Sequence, residues 1–181
     1  ALPIFEQCAQ LSNEQQLMAG GVRLVDYLRG QFQYEDRPQN PTRLFRKRDE
    51  ALGAPINAQP VFVGAPAFRY ADQNYGEYRD RVQANRPGTV YLAANDGMLH
   101  AFDAKSGRER WAFIPGAVLP ELWRIADTGL TKNFRYLLDG TPVVADICPL
   151  SPARTCGATE WRTLLVAGLG AAGREYYALD I

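Results

Sequence analysis

Thr89-Val90-Tyr91-Leu92-Ala93-Ala94-Asn95-Asp96-Gly97-Met98-Leu99-His100-Ala101-Phe102-Asp103 reads as two apolar, β-prone runs on either side of an Asn-Asp-Gly turn. Pairs such as Asp-Gly supply the positive φ angles a narrow turn requires, so this stretch is predicted as a hairpin with strands over 89–94 and 98–103. Ser106-Gly107 gives a second turn signal, and the run from Arg110 to Ile114 adds a third antiparallel strand. Further short runs rich in Val, Ile, Tyr, Phe or Leu extend from Pro60 to Val63, Thr141 to Ile147, Thr163 to Leu169 and Glu175 to Ile181. Each is bounded by Gly, Pro, Asn or Asp, which is the signature of short strands and tight turns.

An internal repeat sets the expected architecture. Pro60-Val61-Phe62-Val63 resembles Pro142-Val143-Val144-Ala145, an offset of 142 − 60 = 82, and Ala101-Phe102-Asp103 resembles Ala178-Leu179-Asp180, an offset of 180 − 103 = 77. Each copy has a core of about 40 residues, the size of a propeller blade, with insertions such as Gly116 to Gly140 between strands. The predicted fold class is therefore all-β, a partial β-propeller of about two blades preceded by a short helical segment. The expected division is a helical and loop lead-in over 1–54 and the first blades over 55–181.

In the lead-in, Ser12 and Gln15 have capping-box spacing, and Leu17, Met18, Val22, Val25 and Leu28 recur at helical spacing. Gly20-Gly21 is a possible break and Gly30 a stop signal. From Gln31 to Gly53 the chain is polar and proline-punctuated; its basic burst at Arg43, Arg46, Lys47 and Arg48 is read as a solvated loop.

The 181 residues are 46% apolar with 20 basic and 20 acidic side chains, which describes a globular chain without a global field to attract nucleic acid. No run approaches the roughly 18 apolar residues of a membrane-spanning helix. The opening Ala1-Leu2-Pro3 has no charged-then-apolar leader and reads as the middle of a longer chain. Cys148 and Cys156 flank a turn-rich loop containing Pro149 and Pro152, so they are the candidate disulfide, and an oxidising compartment is expected. Cys8 is left to pair elsewhere or stay free.

Three motifs invite chemistry and are read structurally. Gly168-Leu169-Gly170-Ala171-Ala172-Gly173 matches G-x-G-x-x-G, but a strand-like run and not a helix follows, so no helix N-terminus awaits a pyrophosphate. His100 is the only histidine and has no nucleophile in a recognisable setting, so it is expected to be a packed or hydrogen-bonded strand residue. Asp96, Asp103, Asp139, Asp146 and Asp180 do not form a calcium-loop series. No catalytic, cofactor-binding or metal-binding residue is assigned.

Ala101-Phe102-Asp103-Ala104-Lys105-Ser106-Gly107-Arg108-Glu109-Arg110-Trp111 fits A-x-D-x-x-[ST]-G-x-x-x-W, and so resembles the docking motif of quinoprotein-like propellers. Asp103 is expected to tie down the turn, Gly107 to adopt the left-handed conformation, and Trp111 to pack flat against the next blade. Longer words carry a second resemblance: Pro55 to Pro66, Val90 to Asp103, Leu138 to Pro142, and Trp161-Arg162-Thr163-Leu164-Leu165-Val166-Ala167-Gly168-Leu169-Gly170. In this order they are similar to the opening propeller blades of the PilC/PilY family of type IV pilus proteins.

That resemblance implies a secreted, pilus-associated protein at the periplasm, outer membrane or cell surface. It would support pilus assembly by opposing retraction and would help attachment to host or abiotic surfaces, with minor pilins as partners. It implies no cofactor in this stretch; the family's calcium loop would lie in later blades. Two rival readings are a pyrroloquinoline-quinone dehydrogenase, which would need several docking motifs and a cofactor pocket, and an outer-membrane assembly scaffold, which would lack the long inserts.

Overall fold

The computed structural model describes residues 12, 13, 16, 17, 21–130, 132, 134–149 and 155–181. Two antiparallel sheets organise the chain. The first contains β1 (Val61–Val63), β2 (Thr89–Ala94), β3 (Met98–Asp103) and β4 (Glu109–Phe113) in the order β1-β2-β3-β4. The second contains β5 (Val143–Ile147), β6 (Arg162–Gly168) and β7 (Tyr176–Asp180) in the order β5-β6-β7. The hairpin at Asn95-Asp96-Gly97 forms as read: Ala94 pairs with Met98, and Gly97 has φ 84°. The glycine-rich word after β6 becomes a short 3-10 turn, Gly170–Ala172, and the chain returns as the antiparallel strand β7.

Alternation explains how the sheets pack. Tyr91, Ala93, Leu99 and Ala101 of the first sheet share one core with Leu165 of the second, and Val144, Tyr177 and Leu179 pack against it. Phe113 meets Tyr177 across the boundary with ring centres 5.6 Å apart. On its other side the second sheet presents Val143 at 69% and Tyr176 at 82% exposure.

The architecture is mixed, not purely β beyond Pro55. α1 (Gly21–Leu28) lies in the lead-in, α2 (Tyr75–Glu77) runs into a π-helical turn over Tyr78–Val82, and α3 (Trp123–Ala126) lies in the insertion before β5. These inserted helices form because each places large apolar side chains where a sheet can cover them: Tyr75 and Tyr78 in one, Trp123 and Ile125 in the other.

Two lead-in expectations are corrected. α1 buries Leu24 and Tyr27, while Val22 is 72% exposed and Leu17 and Val25 are also exposed, so of the described residues in the apolar pattern only Leu28 packs against the core. The basic burst is not uniformly solvated. Arg48 is buried with its Nε 2.7 Å from Glu35 Oε1, and its guanidinium lies 3.6 Å from the centre of the Tyr27 ring. Arg46 donates through its backbone N–H to Ala126 O at 2.8 Å. Leu24, Tyr27 and Phe45 thereby join the same core as Leu99. Cys8, Gln15, Met18 and Gly20 lie outside the described residues.

Candidate functional site

His100 is placed by the hairpin on the strand face that also carries Met98 and Phe102, at the side of a groove of about 760 Å³ lined largely by apolar groups, among them Leu28, Leu122 and Trp111. Its ring is buried between two carboxylates: Nδ1 is 2.6 Å from Glu109 Oε1, and Nε2 is 3.1 and 3.2 Å from Asp96 Oδ2 and Oδ1. Burial pushes the imidazole pKa down, but hydrogen bonds and charge from Asp96 and then Glu109 outweigh it, and the net shift is upward. Asp96 is also committed to the backbone, accepting from Gly53 N at 2.7 Å and Met98 N at 3.1 Å. The groove lining contains no Ser, Thr, Cys or Lys among the described residues, so His100 has no nucleophile to activate there.

The motif from Ala101 to Trp111 forms a closed turn. Asp103 Oδ1 accepts from Lys105 N at 3.0 Å, Ser106 N at 2.8 Å and Ser106 Oγ at 2.9 Å. Gly107 has φ 70° and donates to Asp103 O at 2.8 Å. The β3–β4 ladder slips between Ala101 and Phe102, which leaves Arg110 without an opposite residue and free to reach Asp103 Oδ2 and Thr89 Oγ1. Arg110 first, and the Ser106 donors after it, hold the Asp103 carboxyl far below its ordinary range. Trp111 is 40% exposed, and its ring meets Tyr91 of its own sheet at 5.7 Å.

A second cluster lies against the sheet containing β6. Cys148 and Cys156 are disulfide-bonded. Cys156, Tyr75, Tyr78 and Trp161 form one buried cluster, with Tyr75 and Trp161 ring centres 4.9 Å apart. Asn74, held at φ 62°, donates to Cys156 O at 2.8 Å. Asp146 accepts from Tyr75 OH at 2.7 Å and from Thr163 Oγ1 at 2.6 Å. A threonine hydroxyl has one proton, so Tyr78 OH must donate to Thr163 at 2.7 Å, alongside Arg86 at 2.6 Å.

The two sheets are stitched by contacts the sequence reading did not predict. Asn57 donates its backbone N–H to Asp139 Oδ1 at 2.8 Å and its amide to Asp139 Oδ2 at 2.6 Å. Gln59 N donates to Thr141 Oγ1 at 2.9 Å. The signal was present: the repeat offset of 82 links both pairs. Among the described residues no group of three His, Cys, Asp or Glu side chains is placed to hold a metal ion, and no helix is long and apolar enough to cross a membrane.

Residues 52–181 match the family model described as the PilY1 beta-propeller domain. The chain belongs to this family. A type IV pilus biogenesis factor PilY1 homolog of Xylella fastidiosa strain Temecula1 is 37% identical over 174 residues, covering 91% of this chain. The type IV pilus biogenesis factor PilY1 of Pseudomonas aeruginosa is 38% identical over 165 residues in strain PAK and 35% identical over 171 residues in strain UCBPP-PA14, covering 87% and 89% of this chain. The chain spans about 13% of the length of these curated relatives. No solved structure matches it. In this PilY1 domain the family match begins at residue 52, beside Gly53, whose backbone N–H the Asp96 carboxylate ties to the hairpin turn.

Proposed function

We propose that this chain is an arc of a β-propeller, its two sheets being successive blades, in a non-catalytic surface protein that supports type IV pilus assembly. Membership of the PilY1 β-propeller family carries the reading. The seam supports it: Asn57 and Gln59, just before β1, bond to Asp139 and Thr141, just before β5, as stacked copies of one module would. The exposed Val143 and Tyr176 on the far side of the second sheet suit a face that another blade covers. Residues 1–54 are then a lead-in to blades that begin near Pro55. Asp103, Gly107 and Trp111 are the blade-docking set, with the exposed part of Trp111 available to pack against a neighbouring blade.

In the whole protein the domain opposes pilus retraction and presents an adhesive surface at the pilus tip, with minor pilins and a host or abiotic surface as partners. The protein acts outside the cytoplasm, where the Cys148–Cys156 bond persists. Calcium, where it acts, binds blades beyond this stretch.

The test is genetic. Removal of the full-length protein abolishes surface pili, and removal in a strain that also lacks the retraction motor restores them. Pili that stay absent in the double mutant refute the anti-retraction role. Quinone-dependent dye reduction by the purified full-length protein would replace the reading with a dehydrogenase.

A further inference from the structure

Between two ionised carboxylates the contacts of His100 fit only one protonation state of the ring. Both ring nitrogens face carboxylate oxygens within hydrogen-bond distance, so both must donate, and only the imidazolium has two N–H groups. The three residues come from separate elements: Asp96 from the β2–β3 turn, His100 from β3, and Glu109 from the start of the edge strand β4. The carboxylates are not equivalent. Asp96 is buried and held by Gly53 N and Met98 N, whereas the Glu109 side chain is 47% exposed and is held by His100 alone among the described residues.

When the ring loses its proton it can serve one carboxylate, and its bare nitrogen must face the oxygen of the other. Asp96 has two backbone anchors and stays, while Glu109 can turn to water at little cost. The other charged groups nearby do not replace the proton. Arg110 is taken by Asp103 and Thr89, and Arg29, at the end of α1, lines the groove without a hydrogen bond to Glu109. Phe102, which stacks on the imidazole at 5.8 Å, carries no charge.

We propose that His100 is a proton-operated clamp: protonated, it fastens the start of β4 to the Asp96 turn and through it to Gly53, and neutral, it frees Glu109 and loosens the groove rim between Glu109 and Trp111. Two acidic neighbours favour the charged ring, so release falls above the ordinary imidazole value of about 6.5. The clamp concerns local structure and does not depend on the pilus reading.

Hydrogen exchange measured by mass spectrometry on the full-length protein, at about pH 6 and about pH 9 with intrinsic rates corrected, isolates the peptide over 105–113. The expected result is at least about tenfold faster exchange of that peptide at the higher pH, with the β6 peptide unchanged as an internal control. Glu109→Gln should flatten the dependence, because an amide can accept from the ring N–H or donate to the bare nitrogen. His100→Gln should flatten it as well, and the exposed Glu109 site keeps the test available if that variant does not fold. Equal protection of the wild type at both pH values overturns the proposal. So does a pH-dependent rise that persists in Glu109→Gln.

Discussion

Asn57 and Asp139 stand four residues before β1 and β5 respectively, and bond to each other through both a backbone and a side-chain donor at 2.8 and 2.6 Å. The Asp139 side chain is buried, so these donors take the place of water around its oxygens.

Asp139→Ala is therefore expected to cost about 2–4 kcal/mol, since hydrogen bonds to a charged group are worth about 1.5–3 kcal/mol each and are not fully additive. Asn57→Ala should cost less, because its backbone donor remains. Urea denaturation of the two single variants and the double variant forms a cycle. A coupling below about 0.5 kcal/mol would show that the Asn57 side-chain amide does not help to join the sheets.

Gly140 tests by volume a contact inside the second sheet's unit, between the segment before β5 and the end of β6. A Cβ built there lies 1.9 Å from Gly168 O, a backbone atom that cannot swing away, whereas a Cβ on Gly116 meets nothing within 4 Å. Gly140→Ala should cost about 3 kcal/mol or more and Gly116→Ala almost nothing. Thermal melts of both variants check the contrast. Similar melting temperatures would refute the tight approach of the Gly140 segment to the end of β6.

The buried Glu35–Arg48 pair predicts an asymmetric response. Arg48→Met leaves a buried carboxylate without its main partner and should cost about 3–5 kcal/mol, while Glu35→Gln with Arg48→Met together should cost less than the single change. Burial alone would raise the Glu35 pKa, but bonds from Arg48 and then Arg37 outweigh it and the net shift is downward. The stability this lends is present above the ordinary glutamate value of about 4.3 and is lost as pH falls through the lowered one. Acid denaturation of wild type and Glu35→Gln should therefore converge at the acid end. Curves that stay parallel would exclude the linkage.

Reducing Cys148–Cys156, or replacing both residues by Ser, opens a loop with a sequence separation of 8. Loop-closure entropy puts the loss at about 2.5 kcal/mol. The damage should centre on the Tyr75, Tyr78 and Trp161 cluster, so tryptophan fluorescence should change with unfolding of that region first. A melt unchanged by reductant would contradict this.

The strands were legible because their signals are local. Asn95-Asp96-Gly97 fixes a turn, and the alternating runs beside it fix β2 and β3 to the residue. The disulfide and the structural place of His100 were legible for the same reason, from turn residues around the cysteines and from a strand setting. Contacts over long sequence distance were not. Nothing near Arg48 marks it as the partner of Glu35, 13 residues earlier, and the charges around it favoured a solvated reading. α1 carries apolar residues on two sides, and only tertiary packing selects Leu24 and Tyr27 over Val22 and Val25. The Tyr75–Val82 insertion gives too short a helical pattern to detect, since its order comes from Asp146 and Trp161 beneath it.

The Asn57–Asp139 and Gln59–Thr141 bonds have a direction: both donors belong to the earlier copy and both acceptors to the later one. Such a directed contact makes the seam between the two sheets heterologous, because a two-fold axis relating them would need donors on both sides. Repeating the operation gives either a closed rotation or an open spiral, and which one results depends only on the angle per step. A substitution at this seam that alters the angle resets the step from the first sheet to the second, and the Asn57–Asp139 and Gln59–Thr141 bonds are the contacts that hold that step.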